Sequence, residues 1–154
     1  MELPVSKRLN NELLEYGGRD DWKGILFFAE RNWREFSDVN WSTALGLLGR
    51  FKRHHGEIRR DESFKNFVAE FDGKIQREGL DWMGVRQIAN TVHSFGVMGI
   101  RAKLLFDNVE NEAVRITERA DPQAIFNIVH AFAKLGEKRS AFFNAVDTEW
   151  YLES

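Results

Sequence analysis

Two asparagines, Asn90 and Asn127, recur 37 residues apart in stretches whose other recurring residues are mostly apolar. Asparagine is a poor interior helix residue, so hydrophobic packing does not explain its return. Its amide offers both a hydrogen-bond donor and an acceptor. The two side chains therefore either bond between adjacent helices or contact a ligand, and the pattern alone leaves both interpretations open.

Histidines recur at the same offset, as His93 and His130. A zinc site needs three or four ligands, and no third ligand of fixed spacing accompanies this pair, so we predict no metal site. His54 and His55 are consecutive and point in different directions on a helix, which makes them a poor chelate. We expect them to cap the helix that precedes them.

The offset of 37 extends over a helix and its successor. The matched pairs are Ile88 with Ile125, Val92 with Val129, Phe95 with Phe132, Gly99 with Gly136, Leu105 with Phe142, Phe106 with Phe143 and Val109 with Val146. We expect Val92, Val129, Phe95 and Phe132 to lie in the core. A looser copy, with Ala44, Leu48 and Phe51, matches Ile88, Val92 and Phe95 at an offset of 44. Helix pairs repeated at such a period are typical of an α-solenoid.

Apolar residues at helical spacing and the capping signals predict eight helices and no strands. The fold class is therefore predicted as all-α, a right-handed α-solenoid of about four antiparallel helix pairs in one domain, 1–154. The pairs are expected near 7–36, 40–79, 81–118 and 121–152. The expected start and stop signals are Gly17-Gly18, Asp20-Asp21, Asn40, Ser63, Gly79, Gly99, Asp121-Pro122 and Gly136.

Composition bounds the class of protein. The chain has 154 residues, 43% of them hydrophobic, with 13 Phe and 5 Trp, which is enough for a packed core. A net charge of −2 gives no global attraction for nucleic acid, so any basic site must be local. The absence of cysteine excludes disulfides and fits a reducing compartment. No apolar run is long enough to span a bilayer, and the acidic start does not resemble an organelle transit peptide.

Catalytic motifs are missing from the sequence. It contains no nucleophile elbow, phosphate-binding glycine loop or metalloprotease motif, and carboxylates such as Asp72 and Glu78 look like solvated surface. We therefore predict a protein that is not an enzyme, with no catalytic residue and no cofactor.

Two segments resemble the core line of octotricopeptide repeats, helical repeats of algal organelles. They are Ile88-Ala89-Asn90-Thr91-Val92-His93-Ser94-Phe95-Gly96 and Ile125-Phe126-Asn127-Ile128-Val129-His130-Ala131-Phe132-Ala133-Lys134-Leu135-Gly136. His93 and His130 stand where those repeats usually have Trp. Segments 21–26 and 39–45 are also similar to this group.

The resemblance implies an RNA-binding solenoid in chloroplast or mitochondrial gene expression, acting in transcript stability, processing or translation. Stacked first helices of such repeats line a concave surface where one or two side chains per repeat reach an unstacked base. The candidate RNA-binding residues are Asn90, Asn127, His93, His130, Arg53 and Arg86. The two arginines belong to a modest basic set that also holds Lys52, Arg59, Arg60, Arg101 and Lys103, which would otherwise be solvated helix ends.

An alternative function fits the same fold: a protein-interaction scaffold, or an accessory subunit embedded in a large organellar complex, with no RNA binding. Near-neutral charge and high aromatic content favour it. Recurring Asn with a basic stripe would favour RNA, whereas exposed Phe or Trp would favour a protein partner. Because no polar capping repeat follows Trp150-Tyr151-Leu152, we expect a protein partner or further repeats at that end, as in a longer array.

Overall fold

The computed structural model describes the backbone of residues 3–153 and the side chains of residues 3–148. It is all-helical over this range, with no strand, which confirms the predicted all-α class, whereas the solenoid of about four helix pairs stays a prediction. The apolar end expected at Trp150-Tyr151-Leu152 lies outside the described side chains. No helix in the described range is both long and apolar enough to cross a membrane.

The chain divides into two compact units, Met1–Lys74 and Ile75–Ser154. The first contains α1 (Val5–Gly18), α2 (Trp22–Asn32), α3 (Asp38–Arg50), α4 (His55–Arg60) and most of α5 (Glu62–Glu78). The second contains α6 (Val85–Met98), α7 (Lys103–Asn111), α8 (Ala113–Arg119), α9 (Pro122–Leu135) and α10 (Ser140–Glu153). A single continuous repeat domain stays a prediction.

In the first unit, α1 and α3 run parallel, because their contacts advance together along both helices. The Ser6 and Ser37 hydroxyls are 2.7 Å apart near one end, and Gly17 lies against Leu47 near the other. The core beside this pair is aromatic. Trp41 is almost fully buried, and its ring centroid lies 5.3 Å from that of Phe36 and 5.0 Å from that of Phe67.

In the second unit, the bounds of α9 follow those of α6 by 37 residues at both ends, the offset found in the sequence. Both helices end at a glycine in the left-handed conformation, Gly99 with φ 73° and Gly136 with φ 68°, as predicted. Phe95 and Phe132 are fully buried, and Phe132 packs edge-on against Phe106 and Phe142.

Several predicted signals are confirmed. Asp121 caps α9 by accepting a hydrogen bond from the Ala124 N–H, with Pro122 in the first turn, and Asp21 caps α2 in the same way. His55 Nε2 lies 2.8 Å from the Gly49 carbonyl oxygen, so it does cap the end of α3.

Other predicted boundaries are wrong, and ten α-helices replace the expected eight in the described chain. Asn40 is not an N-cap: Ser37 is, and Asn40 closes a reciprocal capping box with it. Asp61, not Ser63, accepts the first N–H groups of α5. Gly17-Gly18 stays within α1, which ends before Arg19.

Four predicted helices also differ in extent. The predicted second helix ends at Asn32 and continues only as a short 3-10 turn, Trp33–Glu35. The basic segment after α3 forms another 3-10 turn, Lys52–His54, and then α4. In the predicted pair 81–118, the first helix begins at Val85 rather than at Asp81, and the second is broken at Glu112 into α7 and α8.

Candidate functional site

Helices α6 and α9 lie side by side and run parallel. The contacts between them advance in the same chain direction on both helices. The His93 and His130 ring centroids are 6.4 Å apart, Gly96 lies against Ala131, and just beyond the helix ends Arg101 Nη1 is 3.4 Å from Glu137 Oε1. Equivalent positions of the two repeats are therefore neighbours in space.

The close approach depends on a residue without a side chain. A Cβ atom placed on Gly96 would lie only 2.8 Å from the Ala131 Cβ and 3.0 Å from its Cα. Real Cβ atoms avoid the first distance, so glycine allows the backbones to meet at this point. This contact fixes the register in which the outer side chains of the two helices line up.

Helical periodicity gives each helix one outward stripe. On α6 the stripe contains Arg86, Asn90 and His93, and on α9 the residues 37 positions later are Gln123, Asn127 and His130. These stripes and their neighbours form one surface, which we call the α6–α9 face. Its residues are Arg86, Asn90, His93, Gln123, Phe126, Asn127, His130 and Lys134. All eight side chains are exposed or half-buried.

A row of three rings crosses this face. The Phe126 ring stacks on the His130 ring with centroids 5.5 Å apart and 23° between the ring planes, and His130 is followed by His93 on the neighbouring helix. Phe126 is 60% exposed, so most of its phenyl ring is accessible to a ligand. Phe126 and His130 in this row are exposed, whereas His93 is half-buried.

The two asparagines do not bond between helices. Asn127 Oδ1 accepts a hydrogen bond of 3.0 Å from Gln123 Nε2 on its own helix. Among the described residues, the Asn90 side chain has no hydrogen-bond partner. The structural interpretation, a hydrogen bond between adjacent helices, is thus wrong for both residues, and their amide groups remain available at the surface.

The environment of His93 perturbs the protonation of its imidazole. Burial, followed by the nearby His130 and Lys134, holds the pKa of its imidazole below the ordinary value of 6.5. Its Nδ1 is buried and has no hydrogen-bond partner among the described residues. His93 is therefore mainly uncharged at neutral pH, and positive charge on this face comes from Lys134 and Arg86.

The candidate Arg53 lies in the first unit, in the 3-10 turn that follows α3, where it is exposed. The structure thus brings together five of the six candidate residues on α6 and α9. Of the other basic residues, Arg101 pairs with Glu137, and Lys103 Nζ lies 2.7 Å from Asp107 Oδ2, so both are already neutralised by neighbours.

The core predictions on these helices hold for Val92, Phe95 and Phe132, but Val129 is only half-buried. Among the described residues no group of three metal-ligating side chains could hold an ion. Asp72 is half-buried, and burial raises the pKa of its carboxyl group.

Phe126, Gln123 and Lys134 were missed as candidates. The signal for Phe126 was present in the repeat itself, because the offset of 37 matches it with Ala89, which is fully buried. A large ring replacing a small core residue cannot occupy the same site, so Phe126 must turn outward. Gln123 likewise matches Arg86, and both are exposed.

No family model, curated protein or solved structure matches this chain. Its function is therefore inferred from the geometry of the α6–α9 face and from the residue pattern of the two repeats.

Proposed function

We propose that the α6–α9 face binds single-stranded RNA. The observation that carries the proposal is the exposed ring row, in which Phe126 stacks on His130 and His130 adjoins His93. Unpaired bases have two open faces, and stacking on an aromatic side chain contributes about 1–3 kcal/mol per base. Phe126 offers its outer face to such a base.

Base edges would be read by the two asparagines. Asn90 and Asn127 occupy equivalent positions on neighbouring parallel helices, and their amides are not used between the helices. An amide can donate to and accept from the same base edge. Helical repeat proteins that read RNA assign one base to each repeat through a few side chains of this kind.

Contacts to phosphate would come from Lys134 and Arg86, at opposite ends of the face. Lys134 follows His130 by one helical turn, and both Lys134 and Arg86 are exposed. With only a few phosphate contacts, affinity should depend modestly on salt, with a slope close to the number of phosphates neutralised. A net charge of −2 is compatible with this local arrangement.

The proposal includes a solenoid architecture and an organellar setting. Support for the solenoid comes from the parallel pairs α1–α3 and α6–α9, each separated in sequence by intervening helices. The organellar role in transcript stability, processing or translation rests on the resemblance to octotricopeptide repeats. The chain acts by binding, without a catalytic step. Localisation of the tagged gene product in algal cells tests the setting.

The binding test is fluorescence anisotropy of labelled 12-nucleotide poly(U) and poly(A) RNA titrated with the whole chain. We expect a saturable increase that weakens with salt. Phe126→Ala should weaken binding about tenfold, the loss of one stacked base. Asn127→Ala should weaken it less and alter the preference between the two RNAs.

The matched control is Phe27→Ala. Phe27 is 59% exposed, nearly as much as Phe126, but it lies on α2 of the first unit, with Arg31 above its ring. It should leave RNA affinity unchanged. The proposal is wrong if the wild-type chain gives no anisotropy change, or if Phe27→Ala and Phe126→Ala weaken binding equally.

A protein partner is the second candidate function, and the exposed Phe126 ring favours it as well. A partner would bury the ring row as a hydrophobic contact and would bind independently of salt. Pull-down with the wild-type chain and with Phe126→Ala, with and without ribonuclease, separates the two functions. Ribonuclease-resistant, Phe126-dependent capture of one protein supports the scaffold and contradicts RNA binding on this face.

A further inference from the structure

The first unit has a cleft of about 680 Å³ between the end of α1 and the end of α3. Its lining residues are Leu14, Gly17, Gly18, Asp20, Leu47, Arg50, Phe51, Lys52, Arg53 and His54. This volume is within the range of small-molecule sites, roughly 300–1,000 Å³. The cleft belongs to the first unit alone and takes no part in the α6–α9 face.

Three cations on the wall of this cleft are unpaired. Arg50, Lys52 and Arg53 are exposed, and none has a hydrogen-bond or ion-pair partner among the described residues. Most helix-end cations are explained by the helix dipole, but the last turn of α3 already has His55 Nε2 at 2.8 Å from the Gly49 carbonyl oxygen. Capping of this one helix end therefore does not explain why Arg50, Lys52 and Arg53 follow each other within four residues.

The floor of the cleft is apolar. Leu14, Leu47 and Phe51 line it; Leu14 is 48% exposed, whereas Leu47 and Phe51 are buried. Of the carboxylates, only Asp20 is among the lining residues, so positive groups exceed negative ones there. Apolar surface beside unpaired arginine and lysine suits a ligand with a flat apolar ring at one end and a phosphate group at the other.

We propose that this cleft binds a ribonucleoside 5′-phosphate group, with the base on Leu14 and Phe51 and the phosphate between Arg50, Lys52 and Arg53. Arginine binds phosphate oxygens through two parallel N–H donors, and lysine adds a point charge. The same group occurs in a free nucleotide and at the 5′ end of an RNA strand. The site is independent of RNA binding on α6 and α9.

The test is NMR titration of the whole ¹⁵N-labelled chain with AMP, adenosine and inorganic phosphate in parallel. AMP should shift the amide signals of residues 14–20 and 47–54 in a saturable way, and each fragment alone should bind at least tenfold more weakly. Equal affinity for adenosine and AMP, or no shift in these segments, contradicts the proposal.

Charge variants locate the phosphate. Arg53→Gln should weaken AMP binding about tenfold, as expected for the loss of one charge-assisted pair, whereas Arg34→Gln, an exposed arginine outside the cleft, should not change it. A Cβ on Gly18 meets open space, so both Gly18→Glu and Gly18→Gln fit. The glutamate should weaken AMP binding much more than the glutamine. Equal effects would contradict recognition of a phosphate.

Two further arms distinguish the source and keep the two sites apart. Tighter binding of 5′-phosphorylated RNA than of AMP, lost with a 5′-hydroxyl end, identifies the RNA terminus as the ligand. Equal binding of AMP and RNA identifies the free nucleotide. Phe126→Ala should leave AMP binding intact, so failure of the RNA-binding face and failure of this cleft are separate results.

Discussion

The α1–α3 pair and the α6–α9 pair are both parallel neighbours, yet they meet through different chemistry. Between α1 and α3 lies a polar network in which Asn40, fully buried, donates from Nδ2 to the Ser6 carbonyl oxygen and approaches Asn10. Between α6 and α9 the backbones approach closely where Gly96 lies against Ala131, and the ion pair of Arg101 with Glu137 lies just beyond the ends of both helices. In the first pair, therefore, the buried Asn40 amide serves to hold the two helices together.

The pair that joins through small residues does not use its two asparagine amides between the helices. Asn90 and Asn127 are not needed to hold α6 to α9, whereas Asn40 is needed to join α3 to α1 and to close its own capping box. The same residue type therefore has a structural role in the first unit and remains available for recognition in the second.

The largest effect expected from this comparison is that of Asn40→Ala. It removes the acceptor of the Ser37 N–H, one donor to the Ser6 carbonyl oxygen and a fully buried side chain. We expect the free energy of unfolding to fall by about 3 kcal/mol in urea titrations. Asn66→Ala, at an exposed position of α5, should change it by less than about 0.5 kcal/mol. A comparable loss in both variants would contradict a structural role for Asn40.

Gly96→Ala tests the close approach in the second unit. The added methyl group would meet the Ala131 Cβ at 2.8 Å and its Cα at 3.0 Å, and backbone cannot move aside easily. We expect a loss of about 2 kcal/mol in thermal or urea unfolding. Gly17→Ala is the counterpart in the first unit: its nearest neighbour is the flexible end of Leu47, so it should be almost neutral. The reverse order would overturn the comparison.

Asp72 extends the comparison, since it is a half-buried carboxylate of the first unit that lacks a compensating network. Its Oδ1 is buried without a hydrogen-bond partner, and burial raises the pKa of the carboxyl group above 3.8. The charged form therefore destabilises the folded state at neutral pH. Asp72→Asn should raise the unfolding free energy at pH 7 by less than about 1 kcal/mol, because solvent still screens part of the group.

The size of this effect depends on pH. As pH falls through the raised pKa of Asp72, the carboxyl group takes up a proton and the penalty disappears. The advantage of Asp72→Asn should therefore shrink toward zero below about pH 4. An advantage that is equal at pH 7 and at pH 3 would mean that burial of charge is not its cause.

His93 gives the smallest expected effect. Because its pKa is lowered below 6.5 in the folded state, the unfolded chain binds its proton more readily, and stability falls as pH drops through 6.5. His93→Asn should reduce the loss of stability between about pH 7 and pH 5, measured by thermal melting. A steeper pH dependence in this variant would contradict the direction of the shift.

Sequence reasoning succeeded where a local rule decides the outcome. The Asp121-Pro122 start, the left-handed glycines Gly99 and Gly136, and the offset of 37 follow from capping chemistry and periodicity. It failed where contacts with residues distant in sequence determine where a helix begins, ends or breaks. The break at Glu112 has no glycine or proline to signal it.

The candidate site was predictable only in part. Asn90, His93, Asn127 and His130 were identified from their repetition alone, and they do share one face. The ring row was not foreseen, because stacking of Phe126 on His130 depends on side-chain packing along one turn. Likewise the different roles of Asn40 and Asn127 depend on which neighbour lies within 3 Å, and a single sequence does not reveal that.

The most direct test of an RNA-reading α6–α9 face is photocrosslinking of the whole chain to 4-thiouridine-containing single-stranded RNA, with the crosslinked peptides identified by mass spectrometry. We predict crosslinks on α9 at or beside Phe126 and on α6 at or beside His93, reduced in Phe126→Ala and unchanged in Phe27→Ala. Crosslinks confined to the first unit, or none on α6 and α9, would contradict RNA recognition by this face.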